Sequence, residues 1–132
     1  MRYSHQRELI LREVLSRSDY PTAEQICTSL RAVCPRLSLG TVYRDLNTLV
    51  DIGKVRRVSI PGKADRFEGP QEDHQQLYCR SCQKVKSIHI SDAKLKALID
   101  ACPDIVPEDY SLTVFGLCDE CAAKAAQETE KL

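Results

Sequence analysis

The sequence predicts an α+β chain in two parts: a helical N-terminal part closed by a β-hairpin, then a small α/β unit held by cysteines. Three observations carry this. Helical apolar spacing recurs three times before Gly53 and then gives way to short strand-like runs. Gly69-Pro70 and the polar QEDHQQ after it read as a hinge, which sets the parts at residues 1–69 and 70–132. Two CxxC pairs, Cys79/Cys82 and Cys118/Cys121, bracket most of the second part.

The elements follow in order. Leu9, Ile10, Leu11, Val14 and Leu15 are spaced for a first helix over 4–17, with Arg7, Arg12 and Arg17 on other faces. Thr22 and Gln25 match a capping box, so a second helix begins near Thr22 and ends by Cys34-Pro35. Ser38 is an N-cap for a third helix with the stripe Leu39, Val42, Leu46 and Leu49, and Gly53 is placed to stop it. Strands are expected at Val55–Ile60 and Ala64–Glu68 around a Pro61-Gly62-Lys63 turn. Three helices and a hairpin in this order are the layout of a winged helix-turn-helix.

In the second part, LYC and KVKSIHI read as strands flanking the first cysteine pair. Ser91-Asp92 caps a helix with Ala93, Leu95, Leu98 and Ile99, and Pro103 and Pro107 break it. YSLTVFGLC reads as another strand, and residues 119–132 as a polar, Ala-rich terminal helix.

Composition narrows the function classes. Charged residues are 29% and hydrophobic residues 42%, the balance of a water-exposed globular chain. No apolar run approaches the ~18 residues of a membrane span, and MRYSHQRELI lacks the apolar core of a secretory signal. The expected compartment is the cytoplasm, where seven cysteines point to metal or free thiols rather than disulfides. Residues 1–70 hold 12 Lys and Arg against 8 Asp and Glu, a net of +4, which leaves −4 for the remainder of a neutral chain. A basic half fits an anionic partner.

The two CxxC pairs carry the strongest chemistry. A two-residue spacer lets one turn aim two thiolates at one ion, and two such turns supply the four sulfurs of a tetrahedral structural Zn²⁺ site, one ion per chain. The other reading is a pair of redox dithiols, but the strand–helix setting of a thioredoxin-like motif is missing around Cys79. A closed four-thiolate site leaves zinc no open position for catalysis, and no nucleophile–base set or phosphate loop is present, so no enzyme is expected. The third helix offers Ser38, Thr41, Tyr43, Arg44 and Asn47 opposite its apolar stripe, groups suited to phosphates and base edges in a major groove. Basic wing residues (Arg56, Arg57, Lys63, Arg66) are placed to reach a flanking phosphate or the minor groove.

TVYRDLNTLVDIGKV, then RFE, then the two CxxC pairs resemble the ferric uptake regulator family of bacterial metal-dependent repressors, in the same order along nearly the whole chain. The resemblance implies a homodimer that binds double-stranded operator DNA through the winged helix and dimerises through the C-terminal α/β domain. It implies DNA contacts at Tyr43, Arg44 and the early basic residue Arg7, and structural zinc on Cys79, Cys82, Cys118 and Cys121. It also implies an inter-domain sensory metal site, and there this sequence departs from the pattern. The matching positions are Tyr20, Glu68, His74, Gln76, Ser87 and Tyr110, of which only Glu68 and His74 are good donors. His89, Glu72 and Asp73 are nearby substitutes, of which Glu72 and Asp73 read rather as solvated surface residues, and His5 stands before Gln6-Arg7 where Pro is common. The expectation is a regulator with altered or absent metal sensing. The alternatives are a thiol- or redox-responsive protein that uses the CxxC pairs, and a protein-interaction adaptor that has lost DNA binding; Cys27, Cys34 and Cys102 lie outside the zinc set and are the thiols through which peroxide would change operator binding.

Overall fold

The computed structural model describes residues 2–130. The chain divides into two compact units, one running to Pro70 and the other from Gln71 onward. Among the described residues no helix is long and apolar enough to cross a membrane.

The first unit contains α1 (Arg2–Ser16), α2 (Ala23–Leu30), α3 (Leu39–Asp51), β1 (Arg56–Val58) and β2 (Arg66–Glu68). The Thr22 hydroxyl accepts from Gln25 N while the Gln25 side chain accepts from Thr22 N, the full capping box. α2 ends at Leu30, short of Cys34-Pro35, because Val33 N and Cys34 N turn back onto Leu30 O at 3.0 and 2.8 Å. Ser38 caps α3 through Thr41 N (3.1 Å). Gly53 stops that helix at φ +79°, a left-handed conformation that costs glycine little.

The hairpin strands are shorter than the sequence pattern suggests. Pairing is confined to Arg56↔Glu68, Arg57↔Phe67 and Val58↔Arg66. β2 also leans on the entry to α2, where Phe67 N donates to Pro21 O (2.9 Å). The core of this unit draws Ile10 and Val14 from α1, Ile26 and Leu30 from α2, Val42, Leu46 and Leu49 from α3, and Phe67 from β2. Each such burial is worth about 1.5–3 kcal/mol before entropy is charged. Leu15, read as part of the apolar set, lies 56% exposed beyond this core.

The second unit is a three-stranded sheet in the order β4-β3-β5 with two helices. β3 (His74–Cys79) pairs antiparallel with β4 (Val85–His89) and parallel with β5 (Thr113–Gly116). The crossover from β4 to β5 carries α4 (Asp92–Asp100), capped by Ser91 through Lys94 N (3.3 Å), and α5 (Asp119–Glu130) follows β5. A parallel pair needs such a long crossover, which explains the distance between the cysteine pairs.

Candidate functional site

The cysteine site is built by sheet register. Cys79 is the last residue of β3 and pairs with Gly116 of β5, so Cys118 lies two residues past its neighbour. Arg80 N donates to Gly116 O (2.8 Å) and closes the end of that ladder. The first CxxC is the β3–β4 turn: Gln83 N returns to Cys79 O (2.9 Å), with Gln83 in the left-handed region at φ +65°. The second straddles the start of α5, where Ala122 N donates to Cys118 O (2.8 Å).

All four sulfurs then lie within 4.8 Å of one another, with Cys82 Sγ and Cys118 Sγ 3.8 Å apart. A tetrahedral ion with Zn–S bonds of about 2.3 Å sets its sulfurs about 3.8 Å apart, so the donor set fits zinc with small adjustment. Cys79 and Cys118 are buried and Cys82 is exposed. Backbone N–H groups, Cys118's first and then Cys82's and Ser81's, hold the Cys79 thiol down to about 6. Hydrogen bonding to the Cys118 sulfur, the largest of several causes, pushes Cys121 up to about 11. Lys86 Nζ pairs with Asp119 Oδ1 at 3.2 Å beside the second knuckle. Arg80 lies 5.4 Å from the ring centroid of Phe115, which meets Tyr78 edge-on.

The candidate sensory residues lie in different surroundings. His74 is buried on β3, directly across from the exposed His89 on β4, and Ser87 Oγ is 3.5 Å from His74 Nε2. Gln76 is fully buried, and its amide donates to Thr113 Oγ1 at 2.7 Å. Gln75 is buried too and donates to Asp92 Oδ1 (3.2 Å), which also accepts from the Tyr110 hydroxyl (3.2 Å). Asp73 N and Asp92 Oδ2 meet at 2.8 Å, as do Asp92 N and Asp73 Oδ1. In the first unit, Tyr20 is buried at φ +53°, and Glu68 is buried 3.7 Å from Arg56.

The polar face of α3 presents Tyr43 (39% exposed), Arg44 and Asn47 to solvent. Ser38 and Thr41 are bound to each other through their hydroxyls (2.8 Å), so their first role is the cap. Lys63 is exposed on the hairpin turn. Arg7 and Arg57 are turned onto protein groups: Arg7 Nε is 3.6 Å from the buried Asp45, and Arg57 donates to Asn47 Oδ1. Sequence reasoning missed Asp45. Its signal was present, since Asp45 falls between Val42 and Leu49 at helical spacing and therefore on the apolar stripe. Cys34 is half-buried and Cys27 buried, while Cys102 is exposed with its thiol on Leu98 O (3.6 Å).

Comparisons with known proteins agree with this geometry. Residues 1–113 match the model of the ferric uptake regulator family. The peroxide-responsive repressor PerR of Staphylococcus epidermidis is 27% identical over 122 residues, covering 92% of this chain and 81% of that one. The crystal structure of the Vibrio cholerae ferric uptake regulator is 31% identical with a TM-score of 0.63, over 85% of this chain and 88% of that one. The Campylobacter jejuni peroxide stress regulator is 25% identical with a TM-score of 0.73, over 91% of each chain.

Proposed function

This chain belongs to the ferric uptake regulator family, whose members are transcriptional regulators and not enzymes, and we propose that it is a homodimeric, zinc-stapled repressor whose sensory metal site is degenerate. The single observation that carries the DNA-binding reading is the α3 face. Tyr43, Arg44 and Asn47 are exposed while Val42, Leu46 and Leu49 fill the core behind them. An α-helix with that division can enter a major groove without unfolding its own support. Residues 1–69 form the DNA-binding domain, with Ser38 and Thr41 at the N-terminus of the recognition helix and Lys63 on the wing turn.

Residues 70–132 form the dimerisation domain. Leu98, Ile105, Val106, Val114 and Leu117 are exposed there, a set that a second copy of the chain would cover. Cys79, Cys82, Cys118 and Cys121 hold one zinc, which ties β5 and α5 to the β3–β4 turn and takes no chemical step.

The sensory reading rests on donor chemistry. Glu68, His74 and His89 are metal ligands by type. At the other family positions stand two tyrosines, an amide and a hydroxyl, and the Gln76 amide is engaged with Thr113. A first-row divalent ion needs four or more good donors. The test pairs metal analysis with binding to a duplex of the promoter beside its own gene. About one tightly held zinc per chain is expected, with operator binding unchanged by a chelator too weak to strip the staple. A second stoichiometric Fe, Mn or Zn, or binding that vanishes on mild chelation, overturns the degenerate-site reading. Failure to bind any duplex overturns the repressor and favours the adaptor.

A second reading draws on the S. epidermidis relative, which is a peroxide-responsive repressor. It assigns the response to Cys34 or Cys102. Operator binding that peroxide leaves untouched, in wild type and Cys34→Ser alike, removes it.

A further inference from the structure

The hairpin carries four basic side chains, and three of them are turned onto the protein's own acceptors. Arg56 lies 3.7 Å from Glu68. Arg66 donates to Tyr20 O at 3.3 Å. Arg57 has several partners: it donates to Asn47 Oδ1, its Nε is 3.5 Å from Asp65 Oδ2, and its guanidinium lies 5.9 Å from the Phe67 ring centroid.

Strand geometry explains this orientation. Arg57 is directly opposite Phe67 in the antiparallel register, so both point to the same face of the hairpin. Phe67 is 1% exposed and belongs to the helical core, so that face is turned to the helices. A guanidinium that starts there reaches α3 before it reaches an external phosphate. Its planar fork binds an amide and a carboxylate at once, which a lysine ammonium would do poorly. Asn47 is also oriented by the contact. With Oδ1 accepting from Arg57, its NH₂ group is the end left to donate outward, toward a phosphate or a base acceptor.

We infer that Arg57 is a positioning residue and not a DNA contact: with Asp65 it clamps the wing to the polar face of α3 and presents the Asn47 amide for DNA. The inference rests on the DNA-binding reading above. It gives Asp65 an unexpected sign. As a bare anion near DNA, Asp65 repels phosphate, and removing its charge would tighten binding. As the anchor of Arg57, its removal weakens binding.

The experiment measures anisotropy of a labelled duplex of the promoter beside the protein's own gene, across a salt series, with wild type, Asp65→Asn, Arg57→Gln and Arg57→Lys. Asp65→Asn is expected to weaken binding about 1.4-fold to fivefold per half-site, the range that an exposed ion pair's strength converts to. Arg57→Gln and Arg57→Lys should both weaken it, with the salt slope unchanged in each. Were Arg57 a phosphate contact, Arg57→Lys would bind like wild type, and Arg57→Gln would lower the slope by about 0.9. That pair of results, or tighter binding by Asp65→Asn, overturns the inference while leaving the repressor intact. Wild type that binds no duplex overturns both. Thermal unfolding accompanies each variant, and if Arg57→Gln does not fold, Asp65→Asn alone decides by its sign.

Discussion

Arg7 separates two roles that family resemblance alone would merge. The resemblance makes it a DNA contact, whereas the structure sets its Nε 3.6 Å from Asp45, whose side chain is 4% exposed against 41% for Arg7. At that distance the attraction is about 4.6 kcal/mol for an effective dielectric of 20 and about 1.2 kcal/mol in water. Ordering and partly desolvating the arginine offsets some of it. Removing one partner of a fully buried pair costs about 3–5 kcal/mol, and exposed pairs contribute about 0–1 kcal/mol. This pair, buried on one side and half-exposed on the other, lies between them, so Arg7→Ala should destabilise the N-terminal unit by about 1–3 kcal/mol. Urea unfolding followed by far-UV circular dichroism reads this, since α1, α2 and α3 hold most of the helical residues among those described. Asp45→Asn on the Arg7→Ala background should recover part of the loss, because the stranded carboxylate is then gone, and the double-mutant cycle should show a coupling of about 1 kcal/mol or more. The strut reading fails if Arg7→Ala costs less than about 0.5 kcal/mol and yet lowers the salt slope of operator binding by about 0.9.

Other consequences are as direct. Cys118→Ser should abolish stoichiometric zinc and loosen the second unit, seen as lost metal by elemental analysis and faster amide exchange in β5; retention of one zinc per chain would refute the four-sulfur site. Zinc loading at pH 7 should release fewer than four protons, because Cys79, held at about 6, is already mostly ionised, while Cys121, pushed to about 11, still gives up its proton; calorimetry in two buffers of different ionisation enthalpy counts them. The Arg17 guanidinium holds Asp19 below the usual carboxylate range, with hydrogen bonds of 2.9 and 2.8 Å. A depressed folded value means stability that is present above the ordinary pKa and lost as pH falls through the folded one. Asp19→Asn should therefore cost about 0.5–1 kcal/mol near neutrality, and the gap in Tm should close as pH falls through and below the usual carboxylate range. Gln76→Ala should leave a cavity and a stranded Thr113 hydroxyl, lowering stability by about 2–3 kcal/mol without changing zinc content.

Much of this molecule was legible in local chemistry. The Thr22/Gln25 box, the Ser38 cap, Gly53 and the CxxC spacers are rules satisfied within a few residues, so sequence alone exposes them. The hairpin strands were overextended because Val55 and Ile60 are buried for packing and not for pairing, and β-propensity does not separate the two. The glutamines at 75 and 76 read as part of a polar hinge, yet they are buried within β3. Their burial depends on Thr113 and Asp92, 37 and 17 residues away, which only the sheet register brings near. Arg57 and Arg7 read as free cations for the same reason.

The two units also differ in what holds them, which bears on why a metal belongs where the cysteines are. The first unit buries an apolar cluster drawn from all three helices and the hairpin. Among the described residues of the second, the buried apolar side chains are Tyr78, Cys79, Val85 and Cys118, and α4 buries none. Two of those four are members of the sulfur cluster. The other buried residues there, His74, Gln75 and Gln76, are polar and stabilise little unless their hydrogen bonds are made. β5 adds four residues in parallel register at the edge of the sheet, at the end of a long crossover whose closure costs entropy. So small a core gives little to offset that cost, and an ion bound by Cys79, Cys82, Cys118 and Cys121 joins the start of the crossover to its end. Zinc removal should therefore release β5 and α5 first and leave the N-terminal helices cooperative. Thermal unfolding of the metal-stripped protein checks this: a single transition that falls equally for both units would mean that the staple supports the whole chain.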